Sequence, residues 1–443
     1  MVRPSLMILL LASTPSLAQT IVAGGQHSFH ICDPPAVWAW GNNLYGALGT
    51  LGTNDQDQPV PINLPGPVAA VATNEWHSLF LLADSTAWAS GRNYYGQLGD
   101  GTTIDHHPAI AVDSVSNVVD IACSHSYSVF LQADGTVRAC GIGGLGDGTL
   151  EQRNTPVPLP GLTDVVAIAC GHYHTLFLRS DGSVWACGGN SNGALGDGST
   201  TTPLVPVPTL MTEGVVAIAG GNNYSLFLKS DSTLWATGVN GMGLFGLGLQ
   251  QASTVVPIQI ATGVLAMAAG ATHALQLHAD GTVWAAGLNG GGQLGNGTTD
   301  SNPTIGQVLG LTDVVEVAAG SMHSLFRKSD GTLWACGSNV NGQIGDNTTI
   351  SRHEPVLISV PCLPLQVSGT RGHNMAICPN PAADRLFVEW PTARTQAWIM
   401  DITGRVLRTF ILAAGRTEVG LSGLPSGTYA LRSELGTAWF VKE

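Results

Sequence analysis

The sequence predicts an all-β chain: a seven-bladed β-propeller followed by a small β-sandwich. Three observations carry this. A segment of about fifty residues recurs seven times, each copy holds short β-branched or aromatic runs split by tight turns, and residues 379–443 abandon the period while keeping alternating strands.

The period is read from two markers. Gly41, Gly91, Gly141, Gly188, Gly238, Gly287 and Gly337 end W-x-x-G-like segments, and their spacing stays within 47–50 residues. Fourteen residues before each lies His27, His77, Tyr127, His174, Tyr224, His273 or His323. A Trp stands three residues before the glycine in six copies, and Arg138 replaces it in the third.

Each copy has one internal order. Val165–Cys170 leads to Gly171-His172-Tyr173-His174, then Thr175–Leu178, an Asp181-Gly182 turn and Ser183–Cys187. Asp-Gly between apolar runs predicts a two-residue hairpin with both central residues at positive φ. A Pro-rich segment such as Thr155-Pro156-Val157-Pro158 closes the copy and suits an outer edge strand. The Ala/Gly-rich first run fits the crowded strand nearest the axis, and the Trp fits between blades. Radial repetition of such four-stranded units gives a propeller. A parallel β-helix is the alternative, but its repeats are usually shorter.

Composition limits the function classes. The 443 residues carry 17 basic and 30 acidic side chains, for a net charge of −13. That balance repels nucleic acid and anionic membranes. Arg3, the apolar Leu6–Ala12 and Ser16-Leu17-Ala18 predict a signal peptide over residues 1–18. No later stretch is long and apolar enough to predict a transmembrane helix. Eight cysteines suit an oxidising compartment. Cys123, Cys140, Cys170, Cys187 and Cys336 sit at repeat-equivalent places and read as small buried residues, and Cys362 and Cys378, which flank a linker, are the expected disulfide.

Gly91-Arg92-Asn93-Tyr94-Tyr95-Gly96-Gln97-Leu98-Gly99-Asp100-Gly101-Thr102 resembles the signature of regulator of chromosome condensation repeats, as do Gly287–Thr298 and Gly337–Asp346. Ala169–His174 resembles the other half of that signature. The resemblance covers residues 20–361 and implies a seven-bladed propeller. The founding member is an exchange factor for a small GTPase that depends on an inserted β-wedge. Spacing of 47–50 leaves no room for a wedge here, so exchange activity is the least favoured reading.

Strand order puts the Gly-x-x-His loop and the Gly-x-Asn-x-x-Gly loop on one face. The residues varying there include Tyr45, Trp76, Tyr94, Tyr95, Tyr173, Met242 and Met322, and large rigid side chains gathered on one face are what protein interfaces use as anchors. They form the candidate partner-binding face, with blade-to-blade packing as the competing role. The recurring His reads as a buried side chain bonded to backbone, since seven equivalent positions put one ring per blade and not three around one ion. Asp100-Gly101-Thr102, Asp147-Gly148-Thr149 and Asp197-Gly198-Ser199 offer one carboxylate per loop, too few for calcium, and read as turns. His106-His107 reads as a solvated pair. No catalytic residue, metal ligand or cofactor site is expected.

Residues 363–378 read as a linker within a 362–378 boundary segment, with the propeller over 19–361 and the sandwich over 379–443. The last segment resembles the C-terminal sorting domain of type IX secretion cargo through Asn380, Pro381, Asp384, Asp401, Gly404, Arg405, Leu424, Pro425, Gly427, Tyr429 and Lys442. The resemblance implies export by the secretion machinery to the bacterial surface or medium. The expected function is therefore a secreted or surface-displayed scaffold for a protein partner, with a glycan as the other ligand class. The alternative is a secreted enzyme with a site at the central opening. Clustered carboxylates or histidines at that opening would favour the enzyme, and an exposed aromatic patch would favour binding.

Overall fold

The computed structural model describes residues 20–32, 36–248 and 252–360, and, in the C-terminal part, 376–378, 385–390, 395–400, 406–412, 415–425, 427–433 and 436–442. The signal peptide expected over 1–18 lies outside them. Two compact units result, Met1–Cys362 and Leu363–Glu443.

The first unit is the predicted propeller, seven antiparallel four-stranded sheets, each drawn from one repeat in simple sequence order. The innermost strands are Ile21–Ala23, Val68–Thr73, Val118–Cys123, Val165–Cys170, Val215–Gly220, Val264–Ala269 and Val314–Ala319. The Pro-containing segments, such as Gln56–Ile62 and Arg352–Ile358, form the outermost strands. No blade borrows a strand from another part of the chain, so the ring closes through packing, side-chain bonds and loop backbone bonds such as that from the Ser321 amide to the Gly24 carbonyl.

Seven buried clusters fill the seven blade interfaces. Phe80, Phe130, Phe177, Phe227 and Phe326 reach from the second strand of one blade into the core shared with the preceding one. The Trp side chains pack the same way: Trp88 joins the first blade's core, Trp185 the third's and Trp334 the sixth's. Arg138 instead donates from Nη1 to the Pro156 carbonyl at 3.1 Å.

The Asp-Gly turns differ from expectation. Gly135 takes φ +79° while Asp134 does not enter the positive region, and the Gly135 amide bonds the Gln132 carbonyl at 2.9 Å. This is a three-residue connection closed by one left-handed residue, because the Asp carboxylate accepts from the Thr136 amide and hydroxyl and holds the first half right-handed. Ser85 and Ser232 occupy the same left-handed position at φ +66° and +64°. The repeat-marking glycines need their lack of Cβ for another reason. A Cβ on Gly238 (φ +97°) would lie 2.3 Å from the Asn223 carbonyl oxygen, so loop and strand could not meet there.

The recurring His column stitches the blades, though not to backbone as expected. His77 Nε2 meets Ser128 Oγ at 2.9 Å, His174 meets Ser225 at 2.8 Å, His273 meets Ser324 at 2.8 Å and His323 meets Ser28 at 2.9 Å, each hydroxyl belonging to the next blade. His27 reaches Thr73 and Ser78. Ser28, Ser128, Ser225 and Ser324 each donate to a carbonyl, so each accepts from Nε2–H and fixes that tautomer. Burial pulls these imidazoles down to about 4 for His27, His174 and His273 and about 3 for His77 and His323. The two tyrosines answer different neighbours. Tyr127 OH meets Thr175 Oγ1 at 2.9 Å, and Tyr224 OH, facing a blade with Ala274 in place of the serine, donates to the Gly270 and His273 carbonyls.

Closure uses one further carboxylate. Glu316 on the last inner strand accepts from the Thr20 and Ile21 amides at 2.6 and 3.0 Å and is braced by Arg327 at 2.7 Å. Asp120 does the same between the third and fourth blades by accepting from the Ile168 amide, and burial lifts it to about 6.

Cys123, Cys140, Cys170, Cys187 and Cys336 are free thiols, as read from the repeat. Cys32 is disulfide-bonded. The expected Cys362–Cys378 bridge falls on side chains outside the described residues.

In the second unit, Ala376–Cys378, Arg385–Trp390 and Gly415–Gly420 form one sheet, and Thr395–Met400, Val406–Leu412, Gly427–Ser433 and Gly436–Lys442 another. Leu386, Val388, Ala397, Ile399, Val419, Leu421, Tyr429 and Leu431 make the core the two sheets share, as in a sandwich.

Candidate functional site

Each blade sends two loops to one face, and the loops are built for stiffness. Asn93 shows how. Its Oδ1 accepts from the Leu98 amide at 2.9 Å, and its Nδ2 donates to Asp100 at 2.9 Å. Asp100 also accepts from the Thr102 amide and hydroxyl, at 3.1 and 2.7 Å. Asp147 is occupied in the same way by Thr149 and by Arg153 at 2.7 Å. These carboxylates are turn staples, as the sequence reading had them. His106 departs from its solvated reading, since its Nε2 pairs with Asp100 at 3.1 Å.

On this frame the seven predicted face residues divide. Tyr45, Trp76, Tyr94 and Tyr95 come together across the first two blades. Tyr45 and Trp76 meet edge-to-face at 5.5 Å, as do Tyr94 and Tyr95 at 4.9 Å. Arg92 sits among them, 5.2 Å from the Tyr45 ring centroid, 5.8 Å from Tyr94 and 5.9 Å from Tyr95. Such stacking holds a guanidinium in place at about 0.5–1 kcal/mol per exposed contact. Tyr94 remains 64% exposed. Tyr173 lies two blades further round, and Met242 and Met322 are exposed on the fifth and seventh blades.

Tyr173 belongs to a separate groove. The third copy lacks three residues of the Gly-x-Asn-x-x-Gly loop, running Gly141-Ile142-Gly143-Gly144-Leu145-Gly146. The shortened loop leaves a depression of about 490 Å³ lined by Leu150, Tyr173, Asn192, Leu204 and Asn223, among others.

A group that sequence reasoning missed stands at the rim of the central opening. Glu75, His125 and His172 are the second residues of the Gly-x-x-His-type loops in three consecutive blades, and their ligating atoms all lie within 4.8 Å of one another. His125 Nδ1 meets Glu75 Oε2 at 3.1 Å. The two imidazoles stack at 4.5 Å and 21°, and Tyr173 abuts His172 edge-on at 4.3 Å. Backbone bonds fix the loops: the His125 amide reaches the His172 carbonyl, and the His172 amide reaches the Gly221 carbonyl. The hydrogen bond from His125 holds the Glu75 carboxyl below its ordinary range, and burial lowers His172. The Trp76 indole adds to the pull on Glu75 without closing a hydrogen bond to it. The opening behind, about 130 Å³, is walled by small residues such as Gly24, Ala269 and Ser321. The signal was in the sequence, two columns before the His that marks the repeat: that column reads Gly25, Glu75, His125, His172, Asn222, Ala271, Ser321.

In the sorting segment, Leu424, Pro425, Gly427 and Tyr429 are described, and Tyr429 OH donates to the Pro425 carbonyl at 2.7 Å. Asn380, Pro381, Asp384, Asp401, Gly404 and Arg405 lie outside the described residues. Lys442 ends the last strand.

Comparison with known proteins agrees with this architecture. The Secretion system C-terminal sorting domain matches residues 376–442. No curated protein matches the chain. Among solved structures, Prp20p of Saccharomyces cerevisiae, described with its binding properties to Gsp1p and histones, shares 22% identity at a TM-score of 0.68, covering 80% of this chain and 90% of that one. Human WBSCR16 shares 24% at a TM-score of 0.62, covering 70% and 87%. At such identities the likeness speaks to the fold. The Regulator of chromosome condensation (RCC1) repeat matches residues 36–81 and 84–131, and the RCC1-like domain matches 142–382, more than half of the chain, so the protein belongs to the RCC1 repeat family.

Proposed function

We propose that the chain is a secreted or surface-displayed protein-binding scaffold exported through a type IX-like route. One observation carries the binding role: Arg92 fixed among Tyr45, Tyr94 and Tyr95, with Trp76 against Tyr45, on stapled loops. Tyr, Trp and Arg dominate interface hot spots, and rigid presentation lowers the ordering cost of association. The sorting-domain match supports the export route, and Prp20p supplies a propeller of this fold described with protein partners. The test compares capture from extracellular fractions by the full chain and by its Trp76→Ala/Tyr94→Ala variant. Specific partners should be lost from the variant, and their retention would remove this face from the reading. Deleting residues 363–443 should keep the propeller inside the cell, and undiminished export would sink the sorting role.

The second reading, an enzyme at the central opening, is favoured by Glu75, His125 and His172, the kind of cluster it requires.

A further inference from the structure

We propose that Glu75, His125 and His172 form a divalent-cation site of the zinc class at the rim of the central opening. Two imidazoles and one carboxylate are a recurrent donor set for such ions, with at least one coordination position left for water. The three donors come from three separate blades, so the ring geometry and not local sequence brings them together. Their loops are held in place by backbone bonds between neighbouring blades.

The donors are paired with one another only in part. His125 has the Glu75 carboxylate at 3.1 Å, whereas the His172 ring has stacking contacts and no hydrogen bond. Two neutral imidazoles beside one carboxylate set two N–H donors against two ring lone pairs and the carboxylate oxygens, and a cation would engage both rings and the carboxylate. Tetrahedral coordination at 2.0–2.1 Å puts ligand atoms roughly 3.3 Å apart. The present separations are within 4.8 Å, and binding would close them to that distance by side-chain rotation. At this column the other blades carry Gly25, Asn222, Ala271 and Ser321, so the site is confined to one sector of the rim. Tyr173 and Trp76 stand directly beside it in sequence, which places the ion at the edge of both aromatic groups.

The experiment uses the full chain and Zn²⁺, with calorimetry and equilibrium dialysis. One equivalent should bind. Glu75→Gln, His125→Ala and His172→Ala should each weaken binding more than about tenfold, while His278→Ala, at the end of a strand in the sixth blade, should not. Co²⁺ provides a second readout: the full chain should give the visible absorption of a low-coordinate ion, and His172→Ala should lose it. Because all three side chains are partly exposed, thermal melting of the metal-free variants should match the parent and separate ligand loss from unfolding. Failure of the parent to bind Zn²⁺ at micromolar concentration, or binding unchanged in His172→Ala, overturns the assignment.

Discussion

His323 in the seventh blade donates from Nε2 to Ser28 Oγ in the first, 2.9 Å away, and Ser28 in turn donates to the Gln343 carbonyl. This two-step relay crosses the seam where the two ends of the propeller meet. Ser28→Ala would leave the buried His323 N–H and the Gln343 carbonyl each without that partner, although Trp40 Nε1 still reaches the carbonyl at 2.9 Å. The expected cost is about 1–3 kcal/mol, read as a lower denaturant midpoint. An unchanged midpoint would mean that the relay adds nothing to the packing and the other bonds that close the ring.

The match between Tyr224 and Ala274 gives a second prediction. Five His anchors face Ser and one Tyr faces Thr, but Tyr224 faces Ala and bonds backbone instead. Tyr224→His alone should be strongly destabilising, because its ring nitrogen would find no hydroxyl. Adding Ala274→Ser should recover part of the loss. A double-mutant cycle should give a favourable coupling of about 1 kcal/mol or more, and strict additivity would refute the pairing rule.

Acid sensitivity follows from the same column. Burial holds His27 and His273 at about 4 and His323 at about 3, while a released imidazole titrates near 6.5. Across that window the unfolded chain binds more protons than the native one, so stability rises with pH and the penalty vanishes above 6.5. Each histidine should cost up to about 3 kcal/mol by pH 4. Melting temperatures taken from pH 7 to pH 4 check this, and His273→Gln should flatten the slope. An equally steep slope in the variant would assign the acid response elsewhere.

Two backbone substitutions should have opposite signs. Ser232 sits at φ +64° where four other blades place Gly, so Ser232→Gly should stabilise by about 0.5–1 kcal/mol. Gly238→Ala forces a Cβ to within 2.3 Å of a carbonyl oxygen and should cost several kcal/mol or prevent folding. Chemical denaturation of both variants decides the matter, and a destabilised Ser232→Gly would show the turn to be misassigned.

The blades were legible because the markers of the repeat are also the parts sterics cannot vary. Gly238 and its equivalents admit no Cβ, and the inner strands are dominated by Val and Ala. The Asp-Gly turn was misjudged because dipeptide identity does not reveal which residue turns left-handed; the Asp carboxylate, bound to Thr136, decides it. The partner of the recurring His was missed because it lies about fifty residues away, in the next blade. Glu75, His125 and His172 escaped for a related reason. Each looks like ordinary loop variation in its own copy, and only the curvature of the ring makes three successive copies face one point. The aromatic face was half legible: Trp76, Tyr94 and Tyr95 were visible as large side chains, but Arg92, which organises them, sat unremarked inside the repeat signature.

Since each blade takes all four strands from one uninterrupted repeat, no seam is built into the sheets themselves. The chain could begin at any blade and trace the same ring, provided the two ends were joined. What it could not do is shuffle its blades. Each anchor is suited to the residue that follows it round the circle, His to Ser, Tyr127 to Thr175, Tyr224 to Ala274, so the repeats are copies that have become addressed to particular neighbours.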